Sequence, residues 1–262
     1  LLLPEQGFGD QLQFCRYVPR LKSLGVGRLT MVCAAPLAPL FRLLPGVDRV
    51  VTQETTPLDP PHDFWVLPLS LPGLLGSTQA TLPATLPYLN APLERLSRWA
   101  SRDWPRGLRV GLLWKGNPAF SHDATRSLAG LETLAPLWEV PGVGFVSLQK
   151  GEGEEEANHP PPGQPLLPLG AEIEDFGDTA AIIHHLDLVI CCDSAVAHLA
   201  GALGKPCWLL VSHNADWRWM RERADSPWYP GVLRLFRQSR PDDWTEVVER
   251  LREALECLIN SR

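Results

Sequence analysis

Residues 188–211 constrain the chain more than any other stretch. Leu188–Cys192 and Cys207–Val211 are continuous apolar runs, the pattern of strands buried on both faces. Between them, Asp193-Ser194 opens a segment of small residues that Gly204 closes, which predicts a short helix. Strand, helix and strand joined by tight loops require parallel pairing and a right-handed crossover. A helix so poor in bulk lets its backbone lie close to a sheet or a ligand. Its first turn carries N–H groups without intrahelical partners and a partial positive charge, which suits a phosphate. Ser194 and His198 share a face near that end. The unit therefore predicts an anion site at the carboxyl edge of a sheet. Taken alone, the same residues would also serve as a helix cap and a half-buried histidine, so the decision rests on the rest of the chain.

The bulk properties exclude several classes. The net charge is −6, with 24 Lys and Arg against 30 Asp and Glu and no basic tract. Binding to nucleic acid or an anionic membrane through bulk charge is therefore not expected. No apolar run is long enough to span a bilayer. The opening Leu1-Leu2-Leu3-Pro4 has neither a Met nor a basic segment. It reads as a strand entered abruptly, and so as an excised domain or a processed start rather than a signal peptide. The six cysteines (Cys15, Cys33, Cys191, Cys192, Cys207, Cys257) form no Cys-x-x-Cys pair. Zinc and redox sites are not expected from them, and buried free thiols in a reducing cytoplasm are the simplest account.

The elements fall into two halves. In the first, Leu1–Leu3 reads as a strand and 5–10 as a glycine loop. Leu12, Cys15, Val18, Leu21 and Leu24 then follow helical spacing to Gly25, with a kink at Pro19. Arg28–Cys33 and Arg49–Val51 read as strands, Leu37–Leu44 as a short helix, and Asp63–Leu67 as a strand candidate. Residues 68–105 show no clear periodicity and are broken by prolines. A domain boundary is expected near 100–107. The second half restarts with a strand, Leu108–Trp114, and a polar loop, 115–127. A helix over Leu131–Trp138 and a strand over Gly144–Leu148 follow. Gly151–Pro165, acidic and then proline-rich, reads as a mobile surface loop. Asp178–Leu186 reads as a helix, Val232–Arg237 as the last strand, and Asp243–Leu258 as an amphipathic closing helix. The expectation is an α/β chain of two Rossmann-like domains facing a cleft, 1–105 and 106–240, with a closing helix at 241–262.

Three segments carry a family resemblance. They are Gly7-Phe8-Gly9-Asp10, Trp114-Lys115-Gly116-Asn117-Pro118, and Asp193-Ser194 with His198. Together they resemble glycosyltransferase family 9, the ADP-heptose:lipopolysaccharide heptosyltransferases. The likeness is nearer to a bacterial subgroup in which such a domain follows tetratricopeptide repeats. Segments like Asp216-Trp217-Arg218-Trp219 and Ser226-Pro227-Trp228-Tyr229-Pro230 recur there. The likeness covers nearly the whole chain, is specific in the second half, and is weaker between 52 and 107. No tetratricopeptide repeats occur in these residues, which fits a trimmed or lone catalytic domain.

The resemblance implies a GT-B fold. A nucleotide-diphospho-sugar donor would lie in the second domain and a glycan or protein acceptor in the first. No metal and no cofactor besides the donor would be needed, because helix dipole and side chains hold the leaving diphosphate. Asp193, Ser194, the Ala195 backbone and His198 would bind the donor. Asp10 matches the general base of the family, and also suits a helix cap. Gly7 and Gly9 would serve backbone conformation and close approach of a ligand. Lys115 and Arg126 compete as the cation facing the diphosphate, with Asn117 beside them or capping a turn at Pro118. Trp217, Trp219, Trp228 and Tyr229 would stack a base, line an acceptor groove, or pin a loop to the core. Asp216 and Arg218 are the polar contributors there. His184, His185 and Lys205 look structural, and no histidine pair suggests a metal.

The first reading is thus a cytoplasmic, metal-independent inverting glycosyltransferase acting on a hydroxyl. The alternative is a non-catalytic sugar-nucleotide-binding or scaffold module on the same fold. A Rossmann dehydrogenase is a poor third reading, because Gly7-x-Gly9 is followed by Leu12 where the third glycine would stand.

Overall fold

The computed structural model describes residues 1–53 and 62–261. In the first half, α1 (Phe8–Phe14) runs through a 3₁₀ turn, Cys15–Tyr17, into α2 (Val18–Ser23). Pro19 lies in the first turn of α2, where no N–H is needed, so the expected kink falls just ahead of it. β1 (Thr30–Cys33) leads through a 3₁₀ turn and α3 (Ala38–Phe41) to β2 (Arg49–Thr52), its parallel partner. The strands expected at Leu1–Leu3 and Asp63–Leu67 shrink to single bridges: Leu2 pairs in parallel with Met31 and with Val66. The aperiodic region holds two helices, α4 (Leu71–Leu74) and α5 (Leu93–Ala100).

The second half begins with β3 (Leu108–Leu113) and the single turn α6 (Asp123–Arg126). Leu131–Glu139 is a 3₁₀ helix rather than an α-helix: Pro136 lies inside it, and in an α-helix its ring would clash with the carbonyl four residues back. β4 (Val143–Ser147) follows. Within the expected loop 151–165, residues Glu154–Asn158 form α7 while 159–165 hold no helix or strand, and β5 (Leu167–Pro168) comes after it. α7 is held because Glu156 accepts from Trp114 Nε1 at 3.2 Å and from the Leu131 N–H at 2.6 Å. Next come α8 (Phe176–His184), β6 (Leu188–Cys192), α9 (Ala195–Ala202), β7 (Cys207–Val211), β8 (Leu233–Arg237) and the closing α10 (Thr245–Asn260). α10 buries Val247, Val248, Leu251 and Leu255 against the 3₁₀ segment and β8.

These six strands form one parallel sheet in the order β5-β4-β3-β6-β7-β8. That is the doubly wound order, and it reverses direction between β3 and β6. Ligands of such sheets bind outside the carboxyl ends of the strands at that reversal. β6 and β7 are buried along their whole length, as their unbroken apolar runs required.

α5 precedes the expected domain boundary, yet it packs on α8. Arg95 reaches Asp178 at 3.2 Å and Asp175 at 3.3 Å, and Trp99 Nε1 donates to Asp178 at 2.9 Å. α1 packs on α9, so the glycine loop lies against the element singled out from the sequence. Five cysteines are buried and Cys257 is exposed; all six are free thiols.

Candidate functional site

The loops leaving β3 and β6 meet at the reversal point. After β6 the chain extends through Asp193 and Ser194 into α9. Ser194 is the N-cap residue by backbone, with φ −154° and ψ 173°, but its side chain makes no cap hydrogen bond. Its Oγ is buried and has no partner. The amides of Ala195 and Val196 have no carbonyl ahead of them in the helix. A hydroxyl and a first-turn backbone are thus placed together without a protein acceptor. Burial pushes the Asp193 carboxyl above its ordinary range, against the pull of Trp219 and Arg126. The Trp219 indole N–H approaches that carboxylate without closing a well-formed bond, and Nε1 is itself a buried donor without a partner.

Arg126 and Lys115, equal candidates by sequence, part company. Lys115 turns to α7, where it pairs with Glu156 at 3.0 Å and Glu152 at 3.7 Å. Arg126 pairs with Asp123 at 2.9 Å and lies 4.4 Å from the Phe120 ring centre. Its field reaches Asp193 and His198. Gly116 makes this path available: a Cβ there would sit 2.3 Å from Asp123 and 3.0 Å from Arg126. Asn117 caps its own turn, accepting from the Ala119 N–H at 3.0 Å.

His198 is buried, stacked on Trp219 with centroids 5.3 Å apart, and its Nδ1 lies 2.9 Å from the Tyr229 hydroxyl. Burial, together with Arg218, Arg16 and Arg126, pushes its pKa well below the usual histidine value. Gly9 is small for a reason the sequence did not disclose. A Cβ there would come within 2.8 Å of the His198 ring, so the close approach is to His198. Gly7, at φ −84°, sits in ordinary extended backbone.

Asp10 is the third residue of α1 and closes that helix by accepting the Gly7 N–H at 2.9 Å. Its other oxygen pairs with Arg218. Arg218 also donates to Gln13 at 2.7 Å and to Asp216 at 2.9 Å. Asp10, Asp216 and Arg218 are therefore one network, in which the guanidinium is already engaged. Of the four aromatic residues, Trp219, Trp228 and Tyr229 are core and pin the loop, while Trp217 is 59% exposed. Lys205 caps α8 through the His184 and Leu186 carbonyls. Gln13 and Arg16 were not expected at the site. Both read as the polar side of an amphipathic helix, and only the fold shows them buried. Among the described residues no three His, Cys, Asp or Glu side chains converge as metal ligands, and no helix is long and apolar enough to cross a membrane.

Residues 143–210, spanning β4 to β7 and including Asp193, Ser194 and His198, match Glycosyltransferase family 9 (heptosyltransferase). The chain is 30% identical to Protein FlbA of Caulobacter vibrioides across 97% of its own length and 46% of FlbA, so it spans about half of that relative. Among solved structures, E. coli ADP-heptose lps heptosyltransferase II superposes with TM-score 0.70 at 13% identity, covering 99% of this chain and 98% of that one. E. coli heptosyltransferase WaaC with ADP-2-deoxy-2-fluoro heptose gives TM-score 0.61 at 12% identity, covering 97% and 98%. The fold is thus the α/β architecture of GT-B heptosyltransferase structures.

Proposed function

We propose that this chain is a family 9 glycosyltransferase that moves a sugar from a nucleoside-diphosphate donor to a hydroxyl, with inversion and without a metal. The observation that carries the reading is the buried, unpartnered Ser194 hydroxyl at the open N-terminus of α9, whose neighbours Asp193 and His198 feel the Arg126 charge. The position of this terminus at the reversal point of the sheet supports it.

In this reading the diphosphate lies on the Ser194 Oγ and the amides of Ala195 and Val196, with His198 beside it. Arg126 and the helix terminus supply positive charge as the leaving group develops its own. Lys115, held by Glu156, has no direct part. The acceptor oxygen attacks the anomeric carbon, the bond from that carbon to the diphosphate oxygen breaks, and the hydroxyl proton passes to Asp10. To take the proton, the Asp10 carboxylate exchanges one present bond, to Arg218 or to the Gly7 N–H, for the acceptor hydroxyl. The acceptor is a glycan or a protein hydroxyl. The six free thiols suit a reducing cytoplasm. The segments at 216–219 and 226–230 support the subgroup accompanied by tetratricopeptide repeats.

Calorimetric titration with ADP, UDP and GDP in metal-free buffer tests the donor site. Micromolar binding of one nucleotide is the expected result; no binding of any would end the reading. Asp10→Asn is expected to lower sugar transfer by about 10²–10⁴-fold while leaving nucleotide affinity in place. ADP release from ADP-heptose with lipopolysaccharide core oligosaccharides is the first assay.

One observation favours the alternative, a sugar-nucleotide-binding module without transfer. Both Asp10 oxygens are engaged, and α1 already lies on α9. That reading predicts nucleotide binding, no transfer, and a loss of stability rather than turnover in Asp10→Asn.

A further inference from the structure

A buried cluster behind α9 has no part in the scheme above. Arg16, in the Cys15–Tyr17 turn, is 3% exposed. It donates to Gln13 O at 2.8 Å, to Trp228 O at 2.5 Å, to Pro83 O at 3.2 Å and to the Tyr88 hydroxyl at 2.9 Å. Every partner is a neutral oxygen, and among the described residues no carboxylate pairs with it. Such a guanidinium keeps its field on its neighbours, because a dry interior screens it poorly. Those neighbours are aromatic: its centre lies 4.5 Å from the Tyr229 ring centroid and 4.7 Å from that of Tyr88.

Tyr229 is fully buried against α9. A Cβ on Gly201 would fall 2.4 Å from its ring, so glycine at 201 is what seats it. Seated there, its hydroxyl meets His198 Nδ1. The opposite edge of the imidazole, Cδ2 and Nε2, faces Gly9 at the junction of the glycine loop and α9. Among the described residues no hydrogen bond is made by Nε2.

We infer that Tyr229, polarised by Arg16, is a positioning residue that fixes His198 as the Nε2–H tautomer and turns that N–H toward the donor diphosphate. The Tyr229 oxygen lies beside a cation, so its lone pairs turn to Arg16 and its proton turns away, to Nδ1. An Nδ1 that accepts leaves the proton of the neutral ring on Nε2. In the reverse arrangement the tyrosine proton would turn toward the Tyr88 hydroxyl, an oxygen to which Arg16 already donates, and so toward the cation. The groups facing the ring keep it neutral. Arg16 from the 3₁₀ turn, Arg126 from α6 and Arg218 from the aromatic loop all oppose an imidazolium, and the Asp10 carboxylate on α1 is tied to Arg218. His198 then meets phosphate as a hydrogen-bond donor, while the positive charge comes from Arg126. This inference rests on the donor reading of α9, and it assigns Tyr229 and Arg16 roles that a loop-pinning function does not require.

The test is the imidazole nitrogen spectrum of the full chain labelled with ¹⁵N-histidine, with His198→Gln to identify the signal. Calorimetry with ADP, UDP and GDP runs in parallel. Between about pH 6 and pH 8 the wild type is expected to show the Nε2–H form. Tyr229→Phe keeps the ring against Gly201. It is expected to show both tautomers and about three- to tenfold weaker binding of the recognised nucleotide, with a cooperative unfolding transition retained. An Nδ1–H ring or an imidazolium in the wild type overturns the inference. So does a Tyr229→Phe protein with unchanged tautomer and unchanged affinity. Should that variant fail to fold, the wild-type tautomer decides alone. Failure of all three nucleotides to bind strikes the proposed function, whereas the wrong tautomer in a protein that binds nucleotide strikes this inference only.

Discussion

α8 and α9 are successive helices on either side of β6, and they begin in nearly the same way. The N-cap residues Asp175 and Ser194 share φ −154°, with ψ −176° and 173°. Their side chains then do opposite things. Asp175 accepts from the Gly177 and Asp178 amides at 2.8 and 3.3 Å and pairs with Arg95. Ser194 accepts nothing. The first turn of α8 also holds Asp178, buried and paired with Arg95, whereas the first turn of α9 has no acid and looks toward Arg126. One terminus is closed by its own protein and the other is left open, partly buried and within the field of Arg126. Since the two backbones match, the geometry of capping does not explain the difference. Buried polar groups are nearly always satisfied, and Ser194 Oγ is one of eight buried side-chain atoms without a partner among the described residues; under the proposed function, a ligand completes its set.

The contrast is broken or sharpened most strongly at the cations. Arg126→Ala is expected to weaken nucleotide binding by about ten- to hundredfold, the usual scale for a charge-assisted hydrogen bond. Arg95→Ala, at the closed terminus, should leave affinity untouched. Equal affinity in the wild type and Arg126→Ala would remove α9 as the special end. Next in size is Asp175→Ala, which deletes a cap and an ion pair. It should lower unfolding stability by about 1–2 kcal/mol, seen as a lower denaturant midpoint, without changing nucleotide affinity. Ser194→Ala should do the reverse. Removing a hydroxyl that bonds to nothing is expected to leave stability within about 0.5 kcal/mol while weakening nucleotide binding about fivefold. A stability loss without an affinity loss would turn Ser194 back into a cap.

How far this contrast could be read in advance depends on what each end is made of. The open end was legible because its signals are local: two unbroken apolar runs, a polar start and a glycine stop, all within 188–211. The closed end was not. α5, which helps close it, does carry Leu93, Leu96 and Trp99 at helical spacing, but the period lasts only two turns between prolines, and the helix is held largely through Arg95 and Arg98, whose partners are distant in sequence. α7 reads as a solvated acidic loop because its anchor is one carboxylate bonded to Trp114 and Leu131, distant in sequence. The same anchor takes Lys115 out of the site, a direction of one side chain that spacing does not encode. The Asp10–Arg218 pair joins opposite ends of the chain. Gly9 was expected to admit a ligand, whereas the approach it allows in the fold is that of the His198 ring.

The smallest effect expected concerns protons and tests whether burial and the surrounding guanidiniums keep a proton off His198 in the folded state. His198 is held neutral because burial and three guanidiniums lower its pKa well below the ordinary value. In the unfolded chain it titrates near about 6.5. Below that pH the unfolded state binds a proton that the folded state refuses, so folding loses stability as pH falls. The contribution is fully present above about pH 6.5 and declines beneath it, by less than about 1 kcal/mol between pH 7.5 and pH 6. His185, at the C-terminal end of α8, is shifted in the same direction by burial, so the wild-type profile alone does not isolate His198. The difference between wild type and His198→Gln does, because His185 is common to both. Asp193, pushed upward by burial, is likewise common to both proteins and cancels in that difference. Melting temperatures of the two proteins should converge as pH is lowered from 7.5 to 6. Parallel profiles would mean that His198 gains its proton as easily in the fold as out of it. The open end of α9 would then lack the positive field that distinguishes it from α8.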